Sequence, residues 1–78
     1  MERDVIEALR NFNKLSQEDF ARNIGVGTST IANVEAGLRK PSKRLIYAIS
    51  DNYPISDDFL VFFERYKKMH KIINDTTI

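Results

Sequence analysis

No cysteine occurs anywhere in the chain, which excludes disulfides and thiolate metal sites and suits a reducing compartment such as the cytoplasm. Long apolar runs are missing as well. None approaches the roughly 20 residues that span a bilayer, so no membrane role is expected. The start, MERDVIEALR, is charged and amphipathic, unlike a secretion signal. The one histidine, His70, stands beside lysines and reads as a surface residue. No carboxylates have metal-ligand spacing, and no glycine-rich loop is placed to cradle a nucleotide. An enzyme, a metal site and a bound cofactor are therefore all unsupported. Repeats, low-complexity tracts and strand patterns are absent too.

A large charge excess is also lacking, since the net charge is only +1. Its distribution is more telling. Residues 1–34 and residues 51–78 each carry four basic and five acidic groups, whereas residues 35–50 carry four basic groups against Glu35 alone. All four lie in RKPSKR, residues 39–44, so the positive field is local.

What is present is helical patterning, in a length that supports one domain with a modest core. Val5, Ile6, Leu9 and Phe12 recur at helical spacing over residues 2–12, and NFNK supplies a turn. Ser16 is an N-cap candidate, with Asp19 three residues on as a capping-box partner and Leu15 and Phe20 as a hydrophobic staple. The second helix is expected from Gln17 to about Asn23, stopped by Gly25 in a left-handed position. Only Val26 and Gly27 separate it from a third helix over about 28–36, which ends at Gly37. Helices joined so tightly must cross steeply, as in a helix-turn-helix. Pro41 and Ser42 then introduce a fourth helix from Lys43 to about Ser50, and Ser56 caps a fifth over 57–73. Phe59, Phe62, Phe63, Tyr66, Met69 and Ile73 recur there at helical spacing, with NDTTI as a frayed tail.

One face of the third helix, Thr28, Ser29, Ala32 and Asn33, is small and uncharged, whereas a solvated helix usually displays Lys and Glu. The segment LSQEDFARNIGVGTSTIANVEAG, followed by LRKPS and an apolar helix, resembles the phage-repressor-like (Cro/C1, XRE-type) helix-turn-helix family over roughly Leu9 to Ile49. Gly27 departs from that pattern, which usually has a polar cap there, and the long fifth helix lies outside it.

The resemblance implies an all-α, five-helix lambda-repressor-like domain, with the helix-turn-helix at helices 2 and 3 and an extended C-terminal helix. Its expected divisions are a core over 1–53, a helix over 54–73 that completes the core, and the tail 74–78. Such a protein is expected to bind double-stranded DNA as a homodimer on a palindromic operator, in the cytoplasm, usually as a repressor. Thr28, Ser29, Ala32 and Asn33 would then meet base edges, Asn33 by a paired contact to adenine. Gln17, Arg39, Lys40, Ser42, Lys43 and Arg44 would meet phosphates, with Lys14 and Arg22 as weaker candidates. Arg10 and Glu35 resemble a structural pair joining the first helix to the end of the third. Tyr66, Met69 and Ile73 are expected to face a second subunit. The alternative is a protein-interaction module, an antirepressor or antitoxin whose apolar fifth helix holds a regulatory partner.

Overall fold

Serine hydroxyls start three of the five helices. Ser16 Oγ accepts from Asp19 N at 3.0 Å, Ser42 Oγ from Leu45 N at 3.1 Å, and Ser56 Oγ from Phe59 N at 3.1 Å. Each bond satisfies a backbone donor that the first turn leaves without a partner. The computed structural model describes the backbone of residues 1–76 and the side chains of residues 1–72. Its helices are α1 (Arg3–Phe12), α2 (Gln17–Asn23), α3 (Thr28–Glu35), α4 (Lys43–Asn52) and α5 (Asp57–Thr76). The all-α, five-helix expectation holds, and no strand occurs among the described residues. No described helix is long and apolar enough to cross a membrane.

Two helices run further than their sequence pattern suggested. α4 continues through Asp51 and Asn52, because Asn52 Nδ2 donates to Ala48 O at 2.8 Å and Tyr53 N bonds Ile49 O. α5 passes Ile73 and reaches Thr76, so the first residues of the expected tail are helical. The capping box at α2 is only half built. Asp19 turns its carboxylate to Arg22 at 3.0 Å, since an aspartate is one methylene shorter than the usual glutamate.

α1, α2 and α3 all close on the same backbone motif, with paired 6→1 and 5→2 bonds. These are Leu15 N to Arg10 O with Lys14 N to Asn11 O, Val26 N to Ala21 O with Gly25 N to Arg22 O, and Leu38 N to Asn33 O with Gly37 N to Val34 O. The motif needs a left-handed residue, and Gly25 (φ +74°) and Gly37 (φ +77°) supply it at the ends of α2 and α3. At the end of α1 the position is held by Lys14 at φ +58°, a conformation that costs an L-residue about 1 kcal/mol. A Cβ at Gly37 would also meet the Arg3 guanidinium, the movable end of an exposed side chain, so the positive φ is what favours glycine there.

The core gathers Ile6, Ala8 and Leu9 of α1, Phe20 and Ala21 of α2, Ile31 and Val34 of α3, Leu45 and Ile49 of α4, Tyr53, and Phe59 of α5. Ala21 is small enough for α3 to cross α2 closely. Tyr53 lies beyond the expected end of the fourth helix, yet its ring stacks on Phe20 at 4.8 Å and its hydroxyl accepts from Asn23 Nδ2 at 3.0 Å. Phe12 binds α5 to α1 through Phe59 (5.5 Å between centroids) and Phe62 (5.3 Å).

Tyr66, expected at a subunit contact, is engaged within the chain. Its hydroxyl donates to Glu7 of α1 and accepts from Asn11 Nδ2, and its ring stacks on Phe62 at 5.7 Å. It fastens α5 to α1 within the chain, because α1 offers an acceptor that hydrophobic spacing does not reveal. Met69 stays exposed at 58 %. The side chain of Ile73 lies outside the described residues.

Phe59→Ala should cost on the order of 3–5 kcal/mol, read as a lowered thermal midpoint by circular dichroism, because Phe59 is buried among three other aromatic rings. Burial, and then the bond to Glu7, push the Tyr66 phenol above its ordinary range. The folded phenol therefore keeps its proton past about pH 10, where the unfolded one releases it. Its contribution is complete below that pH and is lost as pH rises toward the folded value. In urea titrations from pH 8 to 11, wild type should lose stability more steeply than Tyr66→Phe; parallel curves would refute the bond's role.

Candidate nucleic-acid interface

α3 has eight residues, too few to hold itself together in water, so its pose must come from its neighbours. Ile31 and Val34 press one side into the core. Glu35 then fixes the C-terminal end. Arg10 Nε meets Glu35 Oε2 at 2.7 Å and Arg10 Nη2 meets Glu35 Oε1 at 2.9 Å, a bidentate pair whose side chains are 16 % and 6 % exposed. The third guanidinium nitrogen, Nη1, donates to Leu15 O at 2.9 Å, just ahead of α2. Bonding to Glu35 holds the Arg10 pKa above its already high ordinary value, against the opposing effect of burial. Arg10 and Glu35 are thus brought together as the resemblance implied.

Gln17 is the surprise of this cluster. Its Nε2 donates to Glu35 Oε1 at 3.2 Å, so the amide assigned to a phosphate is held by the structural pair. The bond orients the side chain at the start of α2 while leaving its carbonyl and second N–H unengaged among the described residues.

The opposite side of α3 carries Thr28, Ser29 and Asn33, all exposed, with Ala32 half-buried at its edge. None of the three polar side chains makes a hydrogen bond among the described residues. Their donors and acceptors are therefore directed to solvent on a helix whose other side is fixed. Gly27 begins α3 without a side-chain cap at an ordinary φ of −73°, with Ser29 Oγ 3.8 Å from where a Cβ would lie. The start of the helix is consequently open to close approach.

Arg39, Lys40, Lys43 and Arg44 are exposed and form no ion pair among the described residues. Arg39, Ser42 and Arg44 line a cleft of about 390 Å³ together with Gly25, Val26, Gly27 and Thr30. The structure so places two of the basic residues beside the turn between α2 and α3. Ser42 is there as a helix cap, its oxygen accepting from Leu45 N and its hydroxyl proton still available. Thr30 belongs to this cleft and was missed from sequence, where nothing sets it apart from Thr28. Arg22, by contrast, is tied to Glu18 (3.3 Å) and Asp19 (3.0 Å). A larger cleft of about 580 Å³ opens between α1 and α5, but its lining includes no residue of the outward α3 face, and it mixes cations with carboxylates already bonded to Arg10 and Tyr66. Among the described residues no group of side chains could hold a metal ion.

A short helix clamped on one side and open on the other, joined to its predecessor by a tight turn and flanked by unpaired cations, defines a helix-turn-helix domain. The model of the family HTH_3, helix-turn-helix, matches residues 6–60, more than half of the chain. The chain belongs to this family of DNA-binding regulators, related to the Cro/C1 and XRE types, and its five helices agree with a lambda-repressor-like fold. Neither the comparison with curated proteins nor that with solved structures finds a match.

Arg10→Met should destabilise the domain by about 3 kcal/mol, because it strands a carboxylate that is only 6 % exposed. Arg10→Met combined with Glu35→Leu should recover most of that loss in thermal unfolding. A destabilisation equal to the sum of the two single changes would show that the pair is not coupled.

Proposed function

We propose that the chain is a sequence-specific transcriptional repressor that binds a palindromic operator as a homodimer. The observation that carries this reading is the outward side of α3: exposed polar side chains, unpaired among the described residues, on a helix held in place from behind. Such a helix fits the major groove, and short side chains allow its backbone close to the bases. Asn33 is assigned to an adenine, Thr28 and Ser29 to bases near the helix start, and Ala32 to a thymine methyl.

Arg39, Lys40, Lys43 and Arg44 are assigned to phosphates on either side of the groove, where each neutralised charge releases counterions. Ser42 donates its free hydroxyl proton to the same strand. Gln17, oriented by Glu35, reaches phosphate with the remaining half of its amide. Dimerisation is assigned to the exposed outer side of α5, where Val61 is 55 % and Met69 58 % exposed. Apolar groups so placed gain from being covered. Tyr66 supports that surface from behind. The protein acts wherever its DNA lies, in the cytoplasm, and repression follows from occluding the promoter.

Selection of bound sequences from a random duplex library, at two salt concentrations, tests the reading. A palindromic motif is expected, weakened by salt, with Asn33→Ala losing discrimination at one position per half-site by about 1–3 kcal/mol. Binding without any motif, or a motif that Asn33→Ala leaves unchanged, would overturn the assignment. A stable complex with another protein and no affinity for duplex would favour the antitoxin-like alternative.

A further inference from the structure

Three helices end on one motif, and the residue at its left-handed position is glycine twice and lysine once. Gly25 and Gly37 take it without strain, while Lys14 at φ +58° does not. The bonds that build the motif at Lys14 are all between backbone atoms, so glycine would make them equally well. Local conformation thus gives no reason for a lysine. Packing gives none either, since Lys14 is exposed and its ammonium has no ion pair or hydrogen bond among the described residues. Beyond the weak attraction of a cation to the negative end of α1, the residue contributes nothing to its own fold, and a task outside that fold is the physical reading.

The position of Lys14 says what that task is. Its corner is rigid: Asn13 Nδ2 bonds Leu9 O at 2.8 Å, and Arg10 Nη1 bonds Leu15 O at 2.9 Å. The second bond comes from the guanidinium that grips Glu35, and Glu35 also holds Gln17. Lys14 is therefore fixed relative to α3, and its Cα lies within roughly 11 Å of that of Gln17, the reach of three extended residues. We propose that Lys14 is a DNA-backbone anchor, a single positive charge held at the α1–α2 corner to neutralise a phosphate beside the one assigned to Gln17. This rests on the DNA-binding reading above and gives Lys14, a weak candidate by sequence, a definite place in it at the α1–α2 corner, outside the basic stretch 39–44. The corresponding cation on α2, Arg22, cannot share the role while it is paired with Glu18 and Asp19.

The test compares wild type with Lys14→Gly, Lys14→Asn and Lys14→Arg, reading thermal midpoints without DNA and affinity for the enriched duplex across a salt series. Glycine and asparagine both tolerate the left-handed region, so these two variants should melt no lower than wild type. They should bind roughly 3- to 10-fold more weakly, with the slope of log affinity against log salt shallower by about 0.9, as for one lost phosphate contact. Lys14→Arg should keep both affinity and slope. Equal affinity and slope for Lys14→Gly would overturn the anchor while leaving the DNA reading intact. A lowered melting point with unchanged binding would make Lys14 a complement to the negative end of α1 and overturn it likewise. Wild-type protein that binds no duplex would remove both the anchor and the reading beneath it.

Discussion

The partly buried pair between Arg10 and Glu35 is the constraint on which the arrangement of the first three helices depends. One guanidinium bonds the end of α3 through both oxygens of Glu35, and the approach to α2 through Leu15 O. Gln17 joins from the start of α2. Hydrophobic contact alone would leave α3 resting on Ile31 and Val34, two side chains of similar direction about which a short helix can roll. The charged pair removes that freedom. Burying it yields little net stability, because desolvation offsets most of the attraction, but it imposes one orientation. For a surface that must present hydrogen-bonding groups at fixed spacing, orientation matters more than a few kcal/mol.

Polar groups divide along this clamp. On the inner side, every described buried side-chain nitrogen or oxygen has a partner. Glu7, Asn11 and Tyr66 join α1 to α5, and Asn23 joins α2 to Tyr53. Thr28, Ser29 and Asn33 on the outer side of α3, and the four cations between residues 39 and 44, have none among the described residues. A domain selected for stability alone would pair its cations or intersperse them with acids. Here the acids are concentrated elsewhere, on α1, α2 and the start of α5, which leaves residues 39–44 a local positive stretch although the chain is nearly neutral.

Much of this is legible in the sequence. The starts of α2, α4 and α5 could be read because a serine cap acts on a donor only a few residues away. The ends of α2 and α3 could be read because only glycine takes the left-handed position cheaply. The four outward residues of α3 followed from the spacing of Ile31 and Val34 on the opposite side. The turn NFNK marked the end of α1, but its left-handed residue could not be read, because the Lys14 side chain gives no hint of such a backbone. Tyr53 could not be read as core because its partners Phe20 and Asn23 are some thirty residues away.

The division has a simple physical origin. Interactions confined to a turn or two of chain, such as caps, breakers and hydrophobic periodicity, depend on neighbours in sequence, and by themselves they determined five helices, their order and the tight α2–α3 turn. Interactions across the chain depend on which surfaces meet. Only the tertiary structure decided that Gln17 bonds Glu35, that Tyr66 is drawn to Glu7 and away from the outer side of α5, and that Arg39 and Arg44 stand beside the turn at Gly25–Gly27. In each case the partner is separated by many residues whose packing has to be in place before the contact can form.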